Sequence, residues 1–310
     1  MKADKRRVAR HERQTLDLRP VQSVGDAFEL VANAYGQALQ RHFSAVQRHS
    51  DPETIHGMRI TIRRLLTAMS ALAPPADDPA RKAIKLKLHR LQKALNGLRD
   101  ADTWLEILAE NAHGLTAKEL AGLRKTVLAV RARELAACRT LCRAHPYRLM
   151  SREIGDWVRG GTWRSKSSLM PITPYAGHYL AQLDHKIRKR TKSISRLDDA
   201  ATHKLRIRVK NARYAAELFA TLFKNGAAKK VKRYSEAMER LQSALGALTD
   251  LVSHQRMAKH MFVDDGLSRN PAFPFVAGIV LGHELGARAK LMKAARKACR
   301  EYRKTPPPVA

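Results

Sequence analysis

Two stretches of the sequence place basic side chains three and four positions apart. The members are His56, Arg59 and Arg63 in the first stretch, and His203, Arg206, Lys210 and Arg213 in the second. This spacing puts the side chains on one face of a helix. Arg offers a fork of N–H donors that matches phosphate oxygens, and Lys offers a mobile point charge. The chemistry that this pattern predicts is the binding of a phosphate-rich anion.

Each basic stripe runs beside an apolar stripe that must face a core. In the second stretch the apolar positions are Leu205, Val209, Ala212, Ala216, Phe219 and Phe223, and Tyr214 is the aromatic residue that borders the basic stripe. After the first stretch, the next predicted helix adds Arg81, Lys85 and His89. Like charges at this spacing repel by tenths of a kcal/mol per pair. Because an anion would relieve that repulsion, we expect the stripes to line a groove between helices.

His56 and His203 each lie one turn inside the predicted start of a helix. Free backbone N–H groups and the positive end of the helix dipole favour phosphate there. Without a bound anion, the dipole should keep each histidine neutral. A bound polyanion would raise the histidine pKa.

The charge balance supports an anionic partner. The 310 residues include 59 Lys and Arg against 28 Asp and Glu, a net charge of +31 with neutral histidines. Such an excess indicates a polyanion or an acidic surface as partner. Three cysteines, of which Cys138 and Cys142 lie four apart, predict a reducing compartment, no disulfide framework and no metal site.

No segment predicts a membrane span or a secretory signal. The most apolar run, residues 273–282, is far shorter than the ~20 residues that cross a bilayer. The basic N-terminus is followed by no apolar segment, as a signal peptide would require. We therefore expect a cytoplasmic protein without a membrane partner.

Helical periodicity dominates the chain, and we find no alternating strand pattern. Helices are predicted at about 22–48, 52–73, 78–112, 117–144, 174–194, 199–224, 228–262 and 272–303. Asp51, Pro52 and Glu53 form a typical start, with a capping residue, a first-turn proline and an acid. Asp198 or Asp199 is the corresponding cap of the later basic helix.

An internal repeat organises these helices. Besides the two basic stretches, "LQKALNGLRDAD" at 91–102 matches "LQSALGALTDLV" at 241–252. The repeat predicts an all-α fold of two antiparallel four-helix bundles related by an approximate two-fold axis, with a basic groove between or along them. The expected units are a basic N-terminal arm (1–20), a first bundle (21–144), a linker (145–173), a second bundle (174–304) and a C-terminal tail (305–310).

Three other functions are weighed against anion binding. An enzyme of phosphoryl transfer is disfavoured, because the sequence has no P-loop and no cluster of carboxylates to hold magnesium. A nucleic-acid-binding protein remains the main alternative because of the net charge, although aromatic residues make up only 5%. The last helix could contact nucleic acid weakly through Arg288, Lys290, Lys293, Arg296, Lys297, Arg300, Arg303 and Lys304. A purely structural adaptor would explain the helices but not the basic stripes.

The paired motif "IHGMRITIRRL … LQKALNGLRDAD" and "THKLRIRVKNARYA … LQSALGALTD" resembles the CHAD family, the conserved histidine α-helical domain. The resemblance covers about residues 22–295. It implies two four-helix bundles, a basic channel, non-catalytic binding of inorganic polyphosphate, no cofactor, and association with polyphosphate granules and their proteins. Some relatives carry a hydrolase domain with a Glu-x-Glu-x-Lys strand motif, which this chain lacks.

The motif positions carried over from the family are His56, Arg59, Arg63, Arg64, His203, Arg206, Arg208, Lys210 and Arg213. The chain departs from the family pattern at Leu66, where another basic residue is usual, and at Asn211 and Ala212. Binding by the two halves is therefore expected to be unequal. Together with Arg81, Lys85, His89 and Tyr214, these positions make up the predicted polyphosphate site.

Overall fold

The computed structural model describes residues 16–49, 51–73, 78–110, 116–164, 166–263 and 272–306. Within these ranges the chain is all-α, as predicted, and has no β-strand. The helices are α1 (Val24–Arg48), α2 (Pro52–Ala71), α3 (Pro79–Glu110), α4 (Ala117–Arg143), α5 (His145–Arg148), α6 (Met150–Gly160), α7 (Ile172–Thr191), α8 (Asp199–Phe219), α9 (Asn225–Val263) and α10 (Ala272–Lys304). None of these helices is long and apolar enough to cross a membrane, as far as the described residues go.

The two basic helices begin at the predicted capping residues. Asp51 caps α2, where its carboxylate accepts a hydrogen bond of 3.0 Å from the N–H of Thr54. Asp198, rather than Asp199, caps α8 by accepting from the N–H of Ala201 at 2.6 Å. Each cap satisfies a backbone donor that the first turn leaves free, which fixes where the helix starts.

Neighbouring helices pack in chain order around one continuous core. Contacts join α1 to α2, α2 to α3 and α3 to α4, and likewise α7 to α8, α8 to α9 and α9 to α10. The two basic helices α2 and α8 touch each other. Met58, Leu88, Val209 and Leu241 are each fully buried in the same cluster, so it spans both sets of helices. Burial of each such side chain stabilises the fold by roughly 1.5–3 kcal/mol. The internal duplication itself stays a prediction.

A smaller second core lies at the far ends of the long helices. Trp104 of α3, Val127 of α4 and Val276 of α10 are its buried members, and Ala258 of α9 closes it. These four helices are therefore held together at a second point, away from the first core.

The predicted linker contains two helices that the sequence pattern did not predict. Residues 145–160 form α5 and α6, and α6 packs on α1 and α3. The Trp157 indole N–H donates to the Asp78 carboxylate at 2.7 Å, and the Trp157 ring lies 5.3 Å from that of Phe28. The segment is short and rich in Gly and Pro, so its periodicity is weak, and its burial depends on aromatic contacts with α1.

Both ends of the described chain are attached to the core. In the predicted N-terminal arm, residues 1–15 lie outside the described part, but Leu18 is fully buried and its N–H donates to the Thr221 hydroxyl at 3.0 Å. The C-terminal end of α10 is likewise fixed by contacts with α7.

The attachment of α10 to α7 is a buried hydrogen-bonded group that we call the C-terminal clamp. The Asp184 carboxylate accepts from the Arg188 Nε at 2.5 Å and from the Tyr302 hydroxyl. Arg188 also donates to the carbonyl oxygens of Arg303 at 2.7 Å and Thr305 at 2.6 Å. Asp184 is 4% exposed. The clamp therefore neutralises a buried carboxylate and satisfies the last carbonyl groups of α10.

Candidate anion-binding cavity

A cavity of about 710 Å³ lies where α2 and α8 meet. Its walls come from α2, α3, α7, α8 and α9. The two basic helices are thus brought face to face, and their one-signed stripes border the same space. This arrangement corresponds to the groove expected from the sequence.

The lining of the cavity is strongly basic. Its ionisable members are Arg59, Arg63, Lys85, His89, Lys186, His203, Arg206, Arg208 and Lys210. Among the described residues that line the cavity there is no Asp or Glu. Neutral hydrogen-bonding groups are contributed by Thr67, Ser70, Tyr179, Gln92, Asn96, Asn211 and Gln242. The cavity therefore offers many donors and a positive potential to whatever enters it.

The structure brings eight of the thirteen predicted site residues to this cavity. They are Arg59, Arg63, Lys85, His89, His203, Arg206, Arg208 and Lys210. The five that do not line it are His56, Arg64, Arg81, Arg213 and Tyr214. Arg208 lines the cavity although it lies off the main stripe of its helix.

Two of the five are occupied by structural contacts. The Arg81 guanidinium donates to the carbonyl oxygens of Met69 at 3.2 Å and Ala73 at 3.4 Å, so it closes the C-terminal end of α2. Arg213 forms an ion pair of 2.8 Å with Glu217 within α8. Arg81 is thereby held at the end of α2, and the charge of Arg213 is paired within α8, which periodicity alone does not reveal.

Tyr214 positions an arginine instead of facing the cavity. It is 7% exposed, and its hydroxyl accepts a hydrogen bond of 3.0 Å from Arg63. The guanidinium carbons of Arg63 and Arg213 lie 5.6 and 4.8 Å from its ring centroid. Tyr214 of α8 thus holds Arg63 of α2 at the cavity wall.

His56 and Arg64 lie at the edges of α2. His56 is exposed near the start of the helix, in the field of Arg59 and Arg99. Arg64 lies near Tyr35 and Glu217, where burial raises the pKa of both groups and the charge of Arg64 partly opposes that rise. Both residues therefore belong to neighbouring surfaces.

Sequence reasoning missed Lys186 on α7. This exposed lysine lines the cavity three residues after Leu183 and seven after Tyr179, which line it too. The available signal was a single basic residue on the same helical face as two partly buried apolar ones. Such a position is common on ordinary surface helices, so it did not stand out.

Several cavity arginines are held in place by contacts within the protein. Arg59 donates to the Leu95 carbonyl at 2.8 Å and to the Asn96 side chain at 3.0 Å. Arg206 lies 3.4 Å from Asp250. Among the described residues, the Nε atoms of Arg63 and Arg206 are buried without a hydrogen-bond partner. An unsatisfied buried donor costs about 1–3 kcal/mol, so an anion within reach of these atoms would be stabilised.

The cavity destabilises the positive charge of Lys210. Burial lowers its pKa from 10.5 to about 8, and repulsion from Arg63, Arg206 and Arg59 adds to the effect. Burial and the neighbouring Arg63 also lower the pKa of Arg59 to about 10. Because both pKa values are lowered, the protonated forms of Lys210 and Arg59 are destabilised in the empty cavity.

The pKa values of both motif histidines lie below their usual value, as predicted. Burial lowers the pKa of His203 first, and the charges of Arg206 and Lys210 follow. Partial desolvation by the surrounding protein likewise lowers the pKa of His56, with further repulsion from Arg59. The cause is desolvation and neighbouring cations, whereas the prediction rested on the helix dipole.

Within the described part of the chain, no group of three or more His, Cys, Asp or Glu side chains is placed to hold a metal ion. The site consists of the protein's own cations and amides.

A family model described as "CHAD domain" matches residues 31–259, which is most of the chain. The chain belongs to the CHAD domain family. The basic helices α2 and α8 and the cavity between them lie within the matched CHAD region.

Solved structures share this CHAD fold. The crystal structure of the CHAD domain from the plant Ricinus communis superposes with a TM-score of 0.73 at 24% identity, covering 93% of this chain and 95% of that one. PptA from Streptomyces chartreusis superposes with a TM-score of 0.59 at 16% identity, covering 90% of this chain and all of that one. A search of curated proteins found no match. At these identities the similarity establishes the fold.

Proposed function

We propose that this CHAD protein binds inorganic polyphosphate in the cavity between α2 and α8, without catalysing a reaction. The observation that carries the proposal is the one-signed lining: seven Lys and Arg side chains face one space that no described carboxylate lines. Such a space concentrates anions and repels cations. The CHAD family includes members that bind polyphosphate.

The shape of the site favours a thin anionic chain. A cavity of about 710 Å³ lined by five helices admits a linear polyphosphate but is too small for a nucleic acid duplex. Tyr179 is its one aromatic lining residue among those described, so it offers little stacking surface for the bases of a single strand. Arginine forks, lysines and side-chain amides at irregular positions suit a flexible row of phosphates.

The binding mechanism that we propose is electrostatic capture. Phosphate oxygens accept hydrogen bonds from Arg63 and Arg206, whose Nε atoms have no partner among the described residues. Counterions leave the polyphosphate as the cavity cations replace them, so affinity falls log-linearly with salt. In cells this binding would place the protein on polyphosphate granules in the cytoplasm.

The test is a charge reversal at the mouth of the cavity. Lys85→Glu, Lys186→Glu and Arg208→Glu, combined in one cavity variant, remove three lining cations that form no ion pair with the described residues. The matched control variant carries Lys118→Glu, Arg124→Glu and Lys125→Glu on the exposed side of α4. Both triple variants change the net charge equally, so only the position differs.

Polyphosphate affinity is measured by fluorescence anisotropy at about 0.15 M salt, where surface charges are largely screened. We expect the cavity variant to lose about 100-fold or more in affinity, at ~1 kcal/mol per contact removed, and the control variant to stay within about threefold of the parent protein. Circular dichroism confirms that the helices are intact. Equal losses in the two variants would show that net charge, not the cavity, governs binding.

A further inference from the structure

The outer face of α10 is a second strongly basic surface. Buried Ala295, Cys299 and Tyr302 mark the side of the helix that packs on the core. The opposite side carries six cations and one carboxylate, that of Glu301, over four turns, and we call the six cations the outer basic face. Its members are Lys290, Lys293, Arg296, Lys297, Arg300 and Lys304, all exposed.

The cations of the outer basic face are almost unpaired. Among the described residues, Lys297 alone of the six lies within 4 Å of a carboxylate, that of Glu301 at 3.9 Å. By contrast, Arg288, two residues before Lys290 and off this face, pairs with Asp199 at 2.7 Å. Ordinary surface helices intersperse both signs of charge. The absence of carboxylate partners leaves this face free to contact an external anion.

The start of α9 extends this surface. The rings of Tyr234 and Tyr302 lie 6.2 Å apart and bring the first turns of α9 alongside the last turns of α10. Those turns of α9 contribute further exposed cations, namely Lys229, Lys230, Lys232 and Arg233. The basic area therefore spans two neighbouring helices at one end of the molecule.

This surface is separate from the cavity. No described residue of α10 lines the cavity, and Tyr302 on the inner side of α10 contacts Asp184 of α7. The cavity residues Leu183 and Lys186 occupy another face of that helix. The layer formed by α7 thus lies between the two basic regions.

We propose that the outer basic face binds the phosphate backbone of duplex nucleic acid, independently of base sequence. From Lys290 to Lys304 the stripe extends about 21 Å at 1.5 Å per residue, which matches roughly six base pairs at 3.4 Å each. The surface is convex and open, so it suits a wide, rigid duplex, whereas a thin chain gains more from an enclosed cavity.

The composition of the face fits backbone contacts. Its six members are all Lys and Arg, and the neighbouring Tyr302 is 1% exposed, so no aromatic side chain is available there to stack on bases. Contacts of Lys and Arg to phosphates position a protein on DNA without reading its sequence. Each such contact contributes about 0.9 to the slope of log affinity against log salt.

The test uses an outer-face variant with Lys293→Glu, Arg296→Glu and Arg300→Glu, beside the α4 control variant and the cavity variant. Each is titrated with a labelled duplex of about 30 base pairs at several salt concentrations. We expect the outer-face variant to bind the duplex tenfold or more weakly, with the salt slope reduced by about 3, and to bind polyphosphate within about twofold of the parent. The cavity variant should show the opposite pattern.

Three outcomes would overturn the inference. The first is that the parent protein fails to bind the duplex at near-physiological salt. The second is that the outer-face variant binds the duplex as well as the α4 control variant does. The third is that saturating polyphosphate displaces the duplex completely from the parent protein. The last result would mean that both ligands compete for one site. A ternary complex with duplex and polyphosphate supports two sites, and its detection does not depend on any variant.

Discussion

The depressed pKa of Lys210 makes polyphosphate binding dependent on pH. In the free protein burial and the charges of Arg63, Arg206 and Arg59 lower this pKa to about 8. A bound phosphate supplies the missing opposite charge and should return the pKa toward 10.5, its ordinary value. Binding therefore favours the protonated lysine, and affinity should be lost as pH rises through 8.

The expected size of the effect follows from linkage. At pH 9 roughly nine-tenths of the free protein has a neutral Lys210, whereas the bound form keeps its proton. Affinity should then fall about tenfold between pH 7 and pH 9, or about 1.4 kcal/mol. In the free protein, desolvation and neighbouring cations lower the pKa values of His56 and His203, which moves their titration away from this range.

The assay is an anisotropy titration with long-chain polyphosphate at constant ionic strength from pH 7 to 9. The matched variant is Lys210→Arg, because a guanidinium stays protonated at these pH values. We expect the tenfold fall in the parent and less than about threefold in the variant. A parent protein whose affinity is flat from pH 7 to 9, or a variant that falls as steeply, would refute the assignment of Lys210 to the binding site.

Two further predictions concern the stability of the fold. A Cβ added at Gly161 would lie 2.5 Å from the backbone carbonyl oxygen of Trp157, whereas one added at Gly160 has no described atom within 4 Å. In urea unfolding, Gly161→Ala should lower the free energy of unfolding by about 2 kcal/mol and Gly160→Ala by less than about 0.5 kcal/mol. Equal losses would contradict the close approach of Gly161 to the Trp157 carbonyl oxygen. Asp184→Ala leaves Arg188 without its carboxylate, so the free energy of unfolding should drop by about 3 kcal/mol. A loss below about 1 kcal/mol would show that the C-terminal clamp adds little to stability.

Helix boundaries followed closely from the sequence because apolar periodicity and capping residues are local signals. The start of α2 at Pro52 is set by Asp51 one residue earlier, and both are visible without a structure. The segment that became α6 was not predicted, since its stability depends on Phe28, which is remote in sequence. Local patterns identify long amphipathic helices, but they do not identify short ones that are stabilised by distant aromatic contacts.

The sequence indicates which helix faces carry cations, and the structure shows which of those cations line the cavity. Arg206 and Lys210 were expected on the cavity side and lie there. Arg81 and Arg213 have the same spacing, but Arg81 donates to carbonyl groups at the end of α2 and Arg213 pairs with Glu217. Spacing shows which face of a helix a cation occupies, and only the three-dimensional neighbours show whether its hydrogen-bonding capacity is already used.

The C-terminal clamp also fixes the distance between the cavity and the outer basic face. Asp184 and Arg188 attach α10 to the same helix whose other side carries Lys186 into the cavity. Packed helices lie about 8–10 Å apart, so two polyanions held on the two basic regions would be separated by little more than one layer of helices. Across that distance, close to the Debye length of ~8 Å at physiological salt, the polyanions would still repel each other. The positively charged helices between the two polyanions would reduce this repulsion. The C-terminal clamp would keep the two polyanions at a fixed distance from each other.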